Sequence, residues 1–464
     1  MKKRIHLAFL LPTLLAVSLP LATVQAQPHI HGDRTHTHGL PAQGIGHKHG
    51  NTPLGRAVGG QTTAPIAAKV QQQRQVAKTN TNTAKNNNRS IPGAGDANAQ
   101  LKQAYQQKNY KRVSQIATKF AEQGDPSGQF VLGQLALLGQ GQKKNPKMAF
   151  NWLSKSAANG HKGARYLLGS LYASGTGTKK NFGQAHKYYQ MAAKAGVPDA
   201  MASLGVMYEK GQGVKKNMPR ALQYYEQAAN KGITNVQLMM GERYIKGVGV
   251  KKNPAKGYKF VKMAHNAGEP QATYLLGVLN ANGIGTKKSP QYAFKYISTA
   301  AKSNVPDAQY DLASAYAQGI GTKKNMGQAI KWYKKAANNG VLVAQHNLGL
   351  IYLQGLGTKK SPKQAFNWFN KAAKKGHPVS QYFLGDLYVD GVGVGKNHKQ
   401  AMSWYKKAAA KKFPAAEYSV GAMYANGFGT QKNLPEAKKW FQKASKHGSK
   451  KATNALAILK KNGV

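Results

Sequence analysis

The chain has 464 residues, with 68 Lys plus Arg against 15 Asp plus Glu and no cysteine. A formal net charge of +53 does not choose a fold, but it predicts self-repulsion, solubility and attraction to acidic surfaces or polyanions. The absence of cysteine excludes disulfides, thiolate metal sites, cysteine nucleophiles and acylation at a cysteine.

Residues 1–26 read as a secretory signal peptide. Lys2, Lys3 and Arg4 form its positive end, Leu7 to Leu21 is apolar with Pro12 and Pro20 inside it, and Val24-Gln25-Ala26 offers small residues for cleavage. An apolar run of about 15 residues is short of the roughly 20 that a spanning helix needs. The expectation is therefore an exported protein, periplasmic or secreted, whose mature chain starts at Gln27.

Residues 27–50 form a histidine-rich tract expected to be disordered. It repeats one pattern three times: His29-Ile30-His31-Gly32, His36-Thr37-His38-Gly39 and His47-Lys48-His49-Gly50. Residues two apart point the same way on an extended chain, so each His-x-His pair offers two imidazoles to one cation. His29, His31, His36, His38, His47 and His49 are thus candidate ligands for weak binding of Zn²⁺, Cu²⁺ or Ni²⁺. The competing reading is a solvated polar tail, and nothing in the chain requires a cofactor. Residues 51–97 are rich in Gln, Asn, Thr, Ala and Gly and poor in large apolar residues, which predicts a disordered low-complexity linker.

From residue 98 to 464 the expected class is all-α: an α-solenoid of about ten antiparallel helix pairs plus a capping helix. Gly-x-Gly turns begin at Gly139, Gly175, Gly211, Gly247, Gly283, Gly319, Gly355, Gly391 and Gly427, each 36 residues after the last. Within one repeat, Ala200, Leu204 and Tyr208 lie four apart on one helical face, and Gly205 beside them leaves room for a neighbouring helix. Gly211-Gln212-Gly213 ends that helix. A second helix starts near Pro219 with Ala221, Tyr224 and Ala228 on one stripe. Neither face is wide enough to fold alone, so stacking of repeats completes the core. The close-approach glycine recurs as Gly133, Gly169, Gly205, Gly241, Gly277, Gly349, Gly385 and Gly421, with Ala313 as the substitute. A bulky aromatic recurs at Trp152, Tyr188, Tyr224, Phe260, Tyr296, Trp332, Trp368, Trp404 and Trp440. It includes all five tryptophans and is expected to be core.

The pattern Ala-x-x-x-Leu-Gly-x-x-Tyr-x-x-Gly-x-Gly, then Ala-x-x-Trp/Tyr-Tyr-x-x-Ala-Ala-x-x-Gly, resembles the Sel-one-like repeat (SLR) family, a branch of the tetratricopeptide-type α-solenoids. Ala308 to Gly340 carries it through Leu312, Tyr316, Gly319, Gly321, Ala329, Trp332, Tyr333, Ala336 and Ala337. The resemblance implies a curved right-handed superhelix that binds protein partners as a scaffold, with no catalysis and no family-wide site residues. One departure concerns charge. After the loop lysines, where the family usually has an acid, this chain has Asn145, Asn181, Asn217, Asn253, Ser289, Asn325, Ser361, Asn397 and Asn433. Pro146, Pro254, Pro290 and Pro362 follow four of them, which marks the column as the N-cap of the second helix.

No chemistry stands out. Gly391 to Asn397 superficially resembles a phosphate loop but lacks a glycine and the Ser or Thr that would hold magnesium. Asp386 and Asp390 are expected to lie on a solvated face. His161, His186, His265 and His346 share no column and read as surface residues. The loop lysines remain: Lys143, Lys144, Lys179, Lys180, Lys215, Lys216, Lys251, Lys252, Lys287, Lys288, Lys323, Lys324, Lys359, Lys360, Lys396 and Lys432. They are either a solubilising edge or a cationic ridge. The expected function is a non-enzymatic scaffold binding an acidic protein. The alternatives are a binder of nucleic acid, anionic glycan or lipopolysaccharide, and metal handling through the histidine tract.

Overall fold

The computed structural model describes residues 94–461, so the expected signal peptide, the histidine tract and residues 51–93 of the expected linker lie outside the described residues. Among the described residues there are 21 α-helices and no strand. They fall into two compact units. The first begins with α1 (Ala94–Gln106) and α2 (Tyr110–Glu122). It continues with the pairs α3 (Pro126–Leu138) and α4 (Pro146–Ala158), α5 (Lys162–Ser174) and α6 (Phe182–Lys194), α7 (Pro198–Lys210) and α8 (Met218–Asn230), and α9 (Thr234–Lys246) and α10 (Pro254–Asn266). The second holds α11 (Pro270–Asn282) and α12 (Pro290–Lys302), α13 (Pro306–Gln318) and α14 (Met326–Asn338), and α15 (Leu342–Gln354) and α16 (Pro362–Lys374). It ends with α17 (Pro378–Asp390) and α18 (His398–Ala409), α19 (Pro414–Asn426) and α20 (Leu434–Lys446), and the closing helix α21 (Lys450–Lys461). Helix α1 starts at Ala94, four residues earlier than the composition change suggests.

The repeat period makes each unit a stack of helix pairs, and backbone hydrogen bonds explain why. In the loop between α7 and α8, Gly211 takes φ 70° and closes α7 through its N–H to the Met207 carbonyl. Gly213, also at φ 70°, rests on the neighbouring repeat: a Cβ there would meet the Phe182 carbonyl oxygen at 2.5 Å. Two demands thus meet at one position, left-handed backbone and close approach, and only glycine satisfies both. Asn217 then accepts from the Arg220 N–H and caps α8, while its own N–H donates to the Tyr208 carbonyl at 2.8 Å. The same pair of bonds recurs at Asn145, Asn181, Asn253, Ser289, Asn325, Ser361, Asn397 and Asn433. One side chain therefore starts the second helix while its backbone occupies a free carbonyl at the end of the first.

The core lies one residue away from its expected place on the second helix. The side chains that fill the glycine notch are Leu153, Tyr189, Tyr225, Val261, Ile297, Tyr333, Phe369, Tyr405 and Phe441, all buried. A Cβ on Gly205 would lie 2.6 Å from the Tyr225 ring, and one on Gly385 2.4 Å from the Tyr405 ring. The preceding residue, where all five tryptophans sit, flanks the seam. Trp332 and Trp404 are buried at 8% and 9% exposure, whereas Trp152, Trp368 and Trp440 are half-buried. With 3.6 residues per turn, the position one step before the notch residue is rotated by about 100° towards the helix flank.

Candidate binding edge

All sixteen loop lysines are exposed. The turn fixes their backbone. A Cβ on the helix-ending glycine would meet the backbone of the second lysine, as at Gly319 with the Lys324 nitrogen at 3.2 Å. Loops of neighbouring repeats are also tied to each other. Gly177 packs on the backbone of Pro146 in the first unit, and Gly393 on that of Pro362 in the second. Within each unit the lysine-bearing turns therefore share one edge of the stack.

Among the described residues, none of these lysines is in an ion pair. Lys180 alone has an aromatic partner there, lying 4.7 Å from the Phe182 ring centre. The carboxylates are engaged elsewhere. Glu209 accepts from Arg243 at 2.5 Å and from Tyr225 at 2.7 Å. Glu226 holds Lys256 at 2.7 Å, Glu417 meets His447 at 2.8 Å, and Glu436 meets Lys439 at 2.8 Å. Burial pushes three others up to about 7: Glu242, which Lys246 only partly offsets, Asp311, which accepts from Tyr274, and Asp386, which accepts from Tyr405. Acid is scarce in the sequence, and these seven carboxylates are bonded to other side chains or raised by burial, whereas Glu122 stays exposed on α2. Asp390, at the end of α17, feels the charge of Lys396, while none of the loop lysines forms an ion pair among the described residues.

Two expectations are corrected here. Asp386 is not on a solvated face, because Tyr405 donates to it at 2.6 Å in a buried setting. His346 is not a surface residue: it is 7% exposed, with its Nδ1 3.1 Å from the Ser380 hydroxyl. His161 caps α5 by accepting from the Ala164 N–H, and burial lowers its pKa to about 4 despite the opposing charge of Asp125.

A second set of cations was not singled out from the sequence. Lys155, Lys335, Lys371, Lys407 and Lys443 each place the ammonium 3.9–4.9 Å from the ring centre of the tryptophan three residues earlier. The signal was present: every Trp of the column has Lys three residues on. The Tyr and Phe members instead have Met191, Gln227, Met263 and Thr299. Such pairs contribute roughly 0.5–1 kcal/mol at exposed sites, and each covers the outer face of an indole. Among the described residues no group of three His, Cys, Asp or Glu could hold a metal ion, and no helix is long and apolar enough to cross a membrane.

Stacked helix pairs joined by glycine turns, with their chemistry at the surface, define a helix-pair repeat scaffold. The Sel1 repeat profile matches nine consecutive segments, 126–161, 163–197, 198–233, 235–268, 270–305, 306–341, 342–377, 378–413 and 414–449, and the chain belongs to the Sel1 repeat family. Among solved structures it is similar to c5321, a protective antigen present in uropathogenic Escherichia coli strains that displays an SLR fold. The identity is 29% and the TM-score 0.58, covering 75% of this chain and 83% of that one. It is also similar to a Sel1 repeat protein from Oxalobacter formigenes, at 30% identity and a TM-score of 0.53, covering 65% of this chain and 87% of that one. No curated protein matches the chain.

Proposed function

We propose that the protein is an exported, non-enzymatic adaptor that binds an acidic protein partner along its lysine-bearing loop edge. Sel1 repeat scaffolds generally mediate protein interaction, and the residues of this chain supply the charge. The observation that carries the proposal is the separation of charges. Sixteen exposed lysines make no ion pair among the described residues, on turns that abut within each unit, while Glu209 and Glu226 are bonded to other side chains and burial raises Glu242, Asp311 and Asp386 to about 7. An asparagine or serine at each N-cap keeps the helix start without placing an acid beside the lysines. Export rests on the charged and apolar pattern of residues 1–26.

The test is a pull-down from an envelope extract with the chain from Gln27 onward, washed at low and at high salt. A protein with an acidic surface that stays bound through a moderate-salt wash supports the adaptor. Recovery of nucleic acid or anionic glycan alone, lost on raising salt, overturns it in favour of a polyanion binder, because counterion release makes such binding steeply salt-dependent.

A further inference from the structure

A groove runs beside the third full repeat of the first unit, between α6 and α8. Its floor is the stacked pair Tyr208 and Tyr224, with ring centres 5.7 Å apart and planes within 8°. Three carboxamides line it, Gln190, Gln223 and Gln227, and none of them hydrogen-bonds to a described residue. Two cations complete it, Lys194 and Arg220. The Arg220 guanidinium rests 5.8 Å from the Tyr208 ring centre and makes no ion pair. By contrast Arg243 is bonded to Glu209, and Arg165 to the Ala157 carbonyl. An adjoining groove shares Tyr208 and Arg220 and reaches Lys215 and Lys216, so the two together open onto the loop edge.

No acid lines either groove. Of the three acids on these helices, Glu209 bonds Arg243 and Tyr225, Glu226 bonds Lys256 and Tyr244, and Asp199 lies in the first turn of α7, where its charge acts on Tyr166 of the preceding repeat. The tyrosine stack recurs at Tyr172 and Tyr188, but Arg220 is particular to this repeat. In the eight other full repeats the place of Arg220 is taken by Met148, Gln184, Lys256, Tyr292, Gln328, Gln364, Gln400 and Glu436. A guanidinium thus stands at this one step of a column that otherwise never carries it.

We infer that this groove docks an extended acidic peptide segment of the partner; the inference rests on the proposed binding of an acidic protein and gives that binding a specific seat. Guanidinium matches a carboxylate through two parallel hydrogen bonds. Each free carboxamide offers both a donor and an acceptor, the pair that a peptide group requires. The tyrosine floor packs the chain between them, and Lys215 and Lys216 continue the cationic track at the mouth. A polyanion without peptide groups would use the cations and the carboxamide N–H donors but offer no donor to the carboxamide oxygens.

The probe is fluorescein-labelled deca-L-glutamate, read by anisotropy at about physiological ionic strength, against the chain from Gln27 onward. Polyacrylate with a similar number of carboxylates is the comparison, since it has the charge and no peptide groups. Arg220→Gln should weaken decaglutamate binding about tenfold, the scale of a charge-assisted bond. Gln223→Ala with Gln227→Ala should weaken decaglutamate several-fold and polyacrylate clearly less, since polyacrylate offers acceptors but no N–H donor. All three residues are exposed, and a circular dichroism spectrum checks that the helices persist. If both variants bind decaglutamate as wild type does, the groove is not the seat. A variant with Lys323, Lys324, Lys359 and Lys360 all changed to Gln separates the two ideas. If it alone binds weakly, the loop edge stands and the groove falls; if it too binds like wild type, both fall.

Discussion

Gly349 and Phe369 show how little room the repeat leaves at its closest contact. A Cβ on Gly349 would sit 2.6 Å from the Phe369 ring, a distance real Cβ atoms do not tolerate. Gly349→Val should therefore cost about 1–3 kcal/mol through overpacking, seen as a lower urea midpoint at unchanged slope. Ala313 opposite Tyr333 marks the one full repeat in which the notch already admits a methyl group. Buried acids give a second prediction at this scale. Burial raises Asp311 to about 7, against the Tyr274 hydrogen bond that favours its charged form. Between about pH 4 and 7 the folded chain thus holds a proton that the unfolded chain has released. The stability this group contributes is present below its unfolded value and is lost as pH rises towards 7. In Asp311→Asn that component is absent, so from about pH 5 to 7.5 its thermal midpoint should fall less, or rise more, than that of wild type. An identical pH dependence in the two proteins would contradict the assignment. Which residue of each aromatic pair is core was not legible from spacing alone. Trp332 and Tyr333 are both large and adjacent, and only the packed glycine decides between them.

At the scale of the helix, the sequence pattern reached far. The 36-residue period, the glycine turns and the Asn or Ser caps can all be read directly, because each is a local backbone requirement that recurs in register. The bonds between repeats were not legible. Gln129, Gln237, Gln309, Gln345 and Gln381 donate to the carbonyls of Ala121, Ala229, Ala301, Ala337 and Ala373, each near the end of the preceding helix. A glutamine on a helical face looks like a solvated residue until the neighbouring helix end is known. The turn that closes the second helix offers a test. Its left-handed position is glycine in most repeats, for example Gly232 at φ 93°, but Lys412 holds it at φ 57°. Lys412→Gly removes a side chain from a conformation that L-residues disfavour, at some cost in unfolded-state entropy. The expected net gain is about 0.5–1 kcal/mol in urea denaturation. A loss of stability would mean that the lysine side chain makes a contact worth more than its strain.

For the whole molecule, composition and period point to a charged helical repeat, but neither names what it touches. The lysine edge was visible as a column. Its lack of ion pairs among the described residues was not, since that depends on where Glu209, Glu226, Asp311 and Asp386 turn in three dimensions. The Trp-capping lysines and the Arg220 groove were missed because only the fold brings their parts together. The histidine tract remains a sequence proposal. The chain from Gln27 should bind Zn²⁺, Cu²⁺ or Ni²⁺ weakly by calorimetry and release it below about pH 6, when imidazole is protonated. A variant with all six tract histidines changed to Asn should bind less; equal heats would leave the tract a polar tail. The central claim is that the loop lysines make the binding edge. It is tested most directly by the salt dependence of binding to an acidic protein recovered from the envelope. Wild type is compared with a variant in which Lys143, Lys144, Lys179, Lys180, Lys215, Lys216, Lys251 and Lys252 are Gln. Those residues lie outside the packed columns, so the helical signal should persist while affinity falls and the slope of log affinity against log salt flattens. Equal affinity and an equal slope in the two proteins would contradict the account.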